Sequence, residues 1–248
     1  MVYLTFKLEP EAGSVTGRFM NHPIPVFKTT EGFGALVGID LEQPPGPQVF
    51  EVAWKKEEAT GIRTYPIQVR SASFREESLS LPEAMVNPDP ADLVRAEKET
   101  EQMLAVFGKN SEEKLWGGAF LVPTEGKVFG AFGSRRILNG QPRKRHNGED
   151  IGAPLGSPVL ASNGGKVVLV GDFYFTGRSL VIDHGLGLFS MYFHLSDISV
   201  LEGEPVTRGQ RIGSVGKSGR ATGPHLHWGT RLNGARVNPF SLVEHKLN

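Results

Sequence analysis

The chain has 248 residues, carries 27 basic and 27 acidic side chains, and contains no cysteine. This balanced charge lacks the basic excess of a nucleic-acid-binding protein, so no nucleic-acid partner is predicted. The absence of cysteine excludes disulfides, thiolate zinc sites and cysteine nucleophiles, so any metal must bind through His, Asp or Glu.

Residues 1–86 are predicted to form an N-terminal β domain. Short stretches such as VYLTFKLE and QVFEVAW alternate apolar and polar side chains and are separated by turn-forming segments. Their spacing predicts an antiparallel sandwich of immunoglobulin-like size. This region holds no cluster of catalytic side chains, and we expect His22, which precedes Pro23, to be a turn or strand-end residue.

Residues 87–111 are predicted to be a helical connector. Asp89 and Pro90 are typical of an N-cap and a first helical position, and Gly108 closes the segment. The charged run EKETE is predicted to be the solvated face. One face of the helix should pack on a domain, and it consists of side chains spaced three or four apart: Leu93, Ala96, Thr100, Met103 and Phe107.

Residues 112–248 are predicted to form a second β domain, because from about Leu115 the pattern is again one of short strands between glycine-rich turns, without a helix signal. The whole chain is therefore predicted to be mainly β. No apolar run of about 18 residues is present, so no transmembrane segment is predicted, and the N-terminus lacks the features of a signal peptide.

Two short motifs in this second domain place polar side chains on one side of an extended chain. His146 and Asp150 are four residues apart and can share a face, whereas Glu149 would point the opposite way. In GPHLHWGT, a strand would direct His225 and His227 to one face and the intervening leucine to the other.

A third histidine ends the strand-like segment LFSMYFHLSD. Alternation predicts one face with Phe189, Met191 and Phe193, and the other with Ser190, Tyr192 and His194. An ordinary half-exposed strand predicts the same pattern, so it supports a site only together with the other motifs. The two remaining histidines are expected outside the site: His184 in a turn or supporting position, and His245 as a solvated end residue.

These residue types point to metal-dependent hydrolysis. Two histidines and one carboxylate are a common zinc set, and three protein ligands leave one coordination position for water. Further histidines could transfer protons near neutral pH. The spacing alone does not decide which histidine has which role.

The order of these motifs resembles the lysostaphin-type (LytM-like) zinc endopeptidases, metallopeptidase family twenty-three. The segments FGSRRILNGQPRKRHNGEDIGAPLGSPV, GRSLVIDHGLGLFSMYFHLS and GKSGRATGPHLHWGTR carry the resemblance, over roughly residues 115 to 242. It implies an antiparallel β domain of the duplicated-hybrid-motif-like type. It also implies one Zn²⁺ per chain, held by His146, Asp150 and His227.

The resemblance further implies that His194 and His225 act on a metal-activated water and on the tetrahedral intermediate. The implied reaction is hydrolysis of peptide crosslinks in bacterial peptidoglycan, in the periplasm or outside the cell, with an export signal missing from this sequence. The aromatic stretch Phe173–Phe175 would form a groove wall or a packed strand end. Three residues would hold substrate or fix a loop: Arg135, Arg136 and Asn139.

Three alternatives remain. A family member that has lost ligands could regulate other wall hydrolases without catalysis, although all five expected positions are filled here. A wall carboxypeptidase or dipeptidase would use a longer spacing between the first histidine and the aspartate. An autoinhibited enzyme would cover its groove with its own N-terminal domain or helix.

Overall fold

The computed structural model describes residues 1–8, 13–109 and 111–244 and has the predicted mainly β architecture. His245 lies outside the described residues. Within these ranges, no helix combines the length and the apolar character needed to cross a membrane.

The N-terminal region folds into two small antiparallel sheets, in the orders β1-β5-β4 and β3-β2-β6-β7. Alternating side chains of the two sheets share one apolar core, in which Ala35 of the first sheet and Phe50 of the second are fully buried. The immunoglobulin-like classification stays a prediction, while His22 is an exposed strand-end residue as expected. The strands are β1 (Val2–Phe6), β2 (Ser14–Phe19), β3 (His22–Ile24), β4 (Val26–Thr29), β5 (Gly32–Val37), β6 (Gly46–Lys56) and β7 (Ala59–Val69).

A strand and two helices follow: β8 (Glu76–Leu79), α1 (Glu83–Val86) and α2 (Pro90–Phe107). Helix α2 begins as predicted, since the Asp89 carboxylate accepts a hydrogen bond of 3.0 Å from the backbone N–H of Asp92, and Pro90 takes the first helical position. Its packing face is only partly covered. Ala96 is buried, whereas Leu93 is 43% exposed.

The C-terminal region is dominated by a ten-stranded sheet whose main path is β17-β14-β15-β16-β19-β12-β9. One face packs around a large apolar core, and the other carries a smaller apolar cluster against which α2 packs. The strands of this region are β9 (Lys127–Gly130), β10 (Arg135–Leu138), β11 (Gln141–Pro142), β12 (Gly148–Gly152), β13 (Pro158–Leu160), β14 (Gly165–Phe173), β15 (Gly177–Gly185), β16 (Leu188–Ile198), β17 (Pro205–Val206), β18 (Arg211–Val215), β19 (His225–Leu232) and β20 (Ala235–Val237). Of these, β10 and β11 lie outside the ten-stranded sheet and form a small sheet with β8.

A short helix, α3 (Phe240–Glu244), contradicts the expectation that no helix follows Leu115. The side chain of Asn238 accepts a hydrogen bond of 2.8 Å from the backbone N–H of Phe240. The Asn-Pro pair that precedes this helix was the available signal.

Contacts cross the predicted boundaries at residues 86 and 112. Strand β8, inside the predicted N-terminal domain, pairs in parallel with β10. Phe27 packs on Trp116 with ring centroids 5.7 Å apart, and the Asp40 carboxylate lies 2.6 Å from the Arg236 guanidinium. The boundaries 1–86, 87–111 and 112–248 stay predictions, and β8 shows that the regions they separate are structurally joined.

Candidate metal centre

Three predicted ligands converge where β12 lies beside β19. The antiparallel register places Asp150 directly opposite His227, and His146 approaches from the segment just before β12. Asp150 Oδ1 lies 2.9 Å from His227 Nδ1 and 3.1 Å from His146 Nε2, and the two imidazole nitrogens are 2.9 Å apart. All three side chains are buried.

This arrangement fits a zinc ion. Ligand atoms at about 2.0–2.1 Å from a tetrahedral zinc lie about 3.3 Å from one another, close to the spacing of these three atoms. The donor set of two imidazoles and one carboxylate suits Zn²⁺ and leaves one position for a further ligand. His146, Asp150 and His227 are therefore the residues that could hold the metal.

Arg136 fixes the orientation of the central carboxylate. Its guanidinium donates a hydrogen bond to Asp150 Oδ2, which leaves Oδ1 turned towards the two histidines. The pairing of β8 with β10 sets Glu77 directly opposite Arg136, and their charged groups lie 3.8 Å apart. The resemblance named Arg136 as a residue that would hold substrate or fix a loop, not as a partner of Asp150. Nothing in the sequence indicated that Glu77, about 70 residues before the ligand, supports it.

Two glycines make room for the ligands. A Cβ on Gly130 would lie 2.4 Å from Asp150 Oδ2, and one on Gly148 would lie 2.6 Å from His227 Nε2. Any larger residue at either position would displace a ligand side chain. Neither glycine was singled out from the sequence, although Gly148 lies within the motif that contains His146 and Asp150.

The protonation states favour metal binding. Burial alone would raise the pKa of Asp150, but hydrogen bonds from His146 and His227 outweigh it and hold this pKa well below its usual range. Burial lowers the pKa of His227 to about 4. An ionised carboxylate and a neutral imidazole are the forms in which these side chains bind a metal.

The two predicted catalytic histidines lie beside this cluster. His225 Nδ1 is 2.8 Å from the Gly223 carbonyl, and its Nε2 lies 3.9 Å from Asp150 Oδ1. His194 Nδ1 is 2.9 Å from the Ser218 carbonyl, and the His194 and His225 rings are 4.7 Å apart. Burial, reinforced by the charge of neighbouring histidines, lowers the pKa of His194 to about 3.

The predicted faces of β19 are confirmed, whereas that of His194 on β16 is wrong. Leu226 lies in the core and both neighbouring histidines line the opposite side. In β16, however, an extra residue relative to β15 forms a bulge between Tyr192 and Leu195, and His194 has a left-handed φ of 63°. His194 therefore faces the groove together with Phe193, while Tyr192 is buried on the other side.

The rejected candidates lie elsewhere, as expected. Glu149 is buried on the opposite side of β12, where its carboxylate accepts a hydrogen bond of 3.1 Å from Asn238. His184 does not join the cluster. It is fully buried, and its Nε2 lies 2.7 Å from Ser190 Oγ, which is in turn hydrogen-bonded to Tyr192. It thus lies within β15 and belongs to a polar network inside the core, so the expected turn or ligand-supporting position is wrong.

The other residues named from the resemblance lie at different places in the structure. Asn139 holds the β8–α1 connection through two hydrogen bonds of 2.9 Å with the backbone of Leu81. Arg135 is exposed on β10. Phe173 is buried at the end of β14, and Phe175 is half-buried; both face the groove.

The cluster lies in a groove of about 960 Å³. The large sheet forms its floor. Residues from β8, α1 and α2 form the opposite wall, including Leu93, Thr100 and Met103. The groove is thus bounded partly by the connector helix.

Comparison with known proteins agrees with this geometry. The model of peptidase family M23 matches residues 144–239. A peptidoglycan DD-endopeptidase of Vibrio cholerae, ShyA, is 46% identical over 93 residues, which are 38% of this chain and 22% of the relative. A DD-carboxypeptidase/endopeptidase of Neisseria meningitidis, Mpg, is 40% identical over 137 residues, 55% of this chain and 31% of the relative. The matched segments thus span less than a third of these curated relatives.

A solved structure extends the similarity to nearly the whole chain. A Pseudomonas aeruginosa protein described as a peptidase M23 superposes with a TM-score of 0.73 and 31% identity, covering 94% of this chain and 89% of that protein. The similarity therefore includes the N-terminal sheets and the connector helix as well as the metal-centre region. This chain belongs to peptidase family M23.

Proposed function

We propose that this protein is a zinc-dependent endopeptidase that hydrolyses peptide crosslinks of bacterial peptidoglycan. The observation that carries the proposal is the convergence of His146, Asp150 and His227 within hydrogen-bonding distance at the floor of an open groove. The names of the relatives support this substrate and favour a bond between D-amino acids.

The protein side chains supply binding and proton transfer. Zn²⁺, when bound, lowers the pKa of a water molecule to about 7 and polarises a carbonyl oxygen. In this proposal, His225 and His194 accept a proton from the attacking water and deliver one to the amine nitrogen as the C–N bond breaks, which is supported by their closeness to each other and to Asp150. Their fixed Nδ1 contacts orient both rings before substrate arrives.

The alternative of a silent regulator is not favoured, because a chain that had lost catalysis would have no reason to keep five groups in this arrangement. We propose instead that α2, as the second wall, limits which substrates reach the floor. Since peptidoglycan lies outside the cytoplasm, we also propose that the protein works in the periplasm or outside the cell.

Defined muropeptides, digested and analysed by mass spectrometry with and without a chelator, test the proposal. Wild-type protein should contain one zinc per chain and cleave crosslinks, and His146→Ala should lose both properties, with cleavage reduced at least about 10³-fold. His22→Ala, at an exposed strand end, is the matched control and should keep both. Undiminished cleavage by His146→Ala would refute the enzyme assignment.

A further inference from the structure

The groove carries positive charge that its own carboxylates do not neutralise. Six basic and three acidic side chains line the groove among the described residues, although the whole chain has no net charge. All three carboxylates are already engaged: Arg136 contacts Glu77 and Asp150, and Arg95 lies 2.7 Å from Glu99. The remaining cations of the groove therefore outnumber its available anions.

Arg143 and Arg220 are brought together by adjacent residues of α1. Arg143 donates a hydrogen bond of 2.9 Å to the carbonyl of Val86, and Arg220 donates one of 3.3 Å to that of Met85. Burial lowers the pKa of the Arg220 guanidinium, and the charges of Arg136 and Arg143 lower it further. Like charges are held together here at an electrostatic cost.

Neither guanidinium has a carboxylate partner within the described parts of the chain. Arg143 bonds to neutral oxygens only, at Val86, Asn87 and Gln141. Arg220 is half-buried and lies over the Phe175 ring at 4.3 Å, and the described residues accept a single hydrogen bond from its guanidinium. Since a guanidinium has five N–H donors in a planar fork, Arg220 keeps an edge free for a bidentate acceptor.

We propose that Arg143 and Arg220 form a carboxylate-binding subsite that recognises a free carboxylate on the peptide beside the scissile bond. The proposal rests on the function proposed above and narrows its substrate class to anionic crosslinked peptides rather than uncharged oligoglycine bridges. Fixed, partly desolvated arginines bind a carboxylate far better than mobile surface lysines do, because little side-chain freedom is lost.

The test compares two crosslinked muropeptides that differ only in having a free carboxylate or its primary amide beside the scissile bond. Wild-type protein should cleave the acid with a kcat/KM about 10- to 100-fold above that of the amide, as expected for a charge-assisted bidentate pair. Arg220→Gln and Arg143→Gln should each lower this ratio substantially. Arg18→Gln, which removes an exposed charge from the N-terminal sheet, should keep the wild-type ratio.

Arg220→Lys is the control for a variant that fails to fold. It keeps the charge but lacks the planar fork, so the ratio of kcat/KM for the acid to that for the amide should lie between those of wild type and Arg220→Gln. Equal cleavage of acid and amide by the wild type, or an unchanged ratio in both glutamine variants, would overturn the subsite. If the wild type cleaves neither peptide, the proposed function fails. The subsite is then decided by calorimetric affinities of zinc-loaded wild type and Arg220→Gln for the two peptides.

Discussion

The floor and the helical wall of the groove are built differently. On the floor, the three proposed ligand side chains are buried and lie within hydrogen-bonding distance of one another, where β12 pairs with β19. On the wall, Leu93 and Leu104 of α2 are 43% and 49% exposed. Regions with few buried contacts open at a lower free-energy cost than strand-paired cores do. The residues proposed to bind the metal and the helix that bounds the groove therefore lie in parts of the molecule that differ in local stability.

Among variants that keep the three proposed metal ligands, the largest effect should come from His194→Asn on the floor. Asparagine tolerates the left-handed backbone at this position but cannot transfer a proton, so kcat should fall by about 10²- to 10⁴-fold. Zinc content should stay at the wild-type level, because His194 is not among the three ligands. Steady-state kinetics and metal analysis on the same preparation check this. Loss of zinc would instead show that His194 supports the metal.

Gly148→Ala should have the next largest effect. Its Cβ would lie 2.6 Å from both His227 Nε2 and the Trp228 carbonyl, so the ligand must move. We expect zinc affinity to fall about 10- to 100-fold, as when the supports of other metal ligands are removed. Competition with a chromogenic chelator measures it. Gly117→Ala, where a Cβ meets nothing within 4 Å, is the control, and equal affinities in the two variants would contradict the crowding argument.

On the wall, Glu99→Ala should have a smaller effect than the two floor variants, and it should raise activity where they lower kcat or zinc affinity. Glu99 ties α2 to the end of β14 by accepting a hydrogen bond of 2.6 Å from the backbone N–H of Tyr174. Loss of a bond worth about 1 kcal/mol should raise kcat/KM on large peptidoglycan fragments up to about 5-fold if α2 limits access. Glu101→Ala, exposed on the same helix, is the control. An unchanged or lower rate for Glu99→Ala would argue against a restrictive wall.

The smallest effect on activity is expected outside the groove, at Asp40. Burial alone would raise the pKa of this carboxyl, but hydrogen bonds from Arg236 lower it to about 2. Because the folded state binds this proton more weakly than the unfolded state, the stabilisation is present at neutral pH and is lost as the pH falls from about 4 to about 2.

Asp40→Asn should therefore lower the free energy of unfolding by about 1 kcal/mol at pH 7, after allowance for solvent screening, and leave cleavage unchanged. Urea denaturation at several pH values measures this, with Glu58→Gln in an exposed turn as the control. A difference from wild type that is as large at pH 2 as at pH 7 would mean that packing, not charge, accounts for the loss.

The predictions from the sequence were most accurate for features that depend on local backbone geometry. The two-residue period of a strand correctly placed His225 and His227 on one face and Leu226 in the core. It also separated Asp150 from Glu149. The Asp-Pro start of α2 was equally local, since an N-cap acts within one helical turn.

What the sequence did not predict depends on contacts between distant segments. The bulge at His194 arises from pairing with β15 and reverses the expected face of that residue. The space left by Gly130 and Gly148 becomes apparent only when β12 lies between its neighbours. The support of Arg136 by Glu77 requires a parallel pairing of two strands far apart in the chain. A local sequence pattern does not indicate which distant segments of the chain will pair.

The pairing of β8 with β10 has a practical consequence for studying parts of this protein separately. A fragment beginning at residue 112 would lose the helical wall, but it would also lose Glu77, the neighbour of the arginine that orients Asp150. Its activity would therefore reflect two changes at once, a more open groove and a less firmly oriented Asp150. Any exchange of N-terminal regions between family members should therefore cut before Glu76, so that β8 stays with β10 and the ten-stranded sheet.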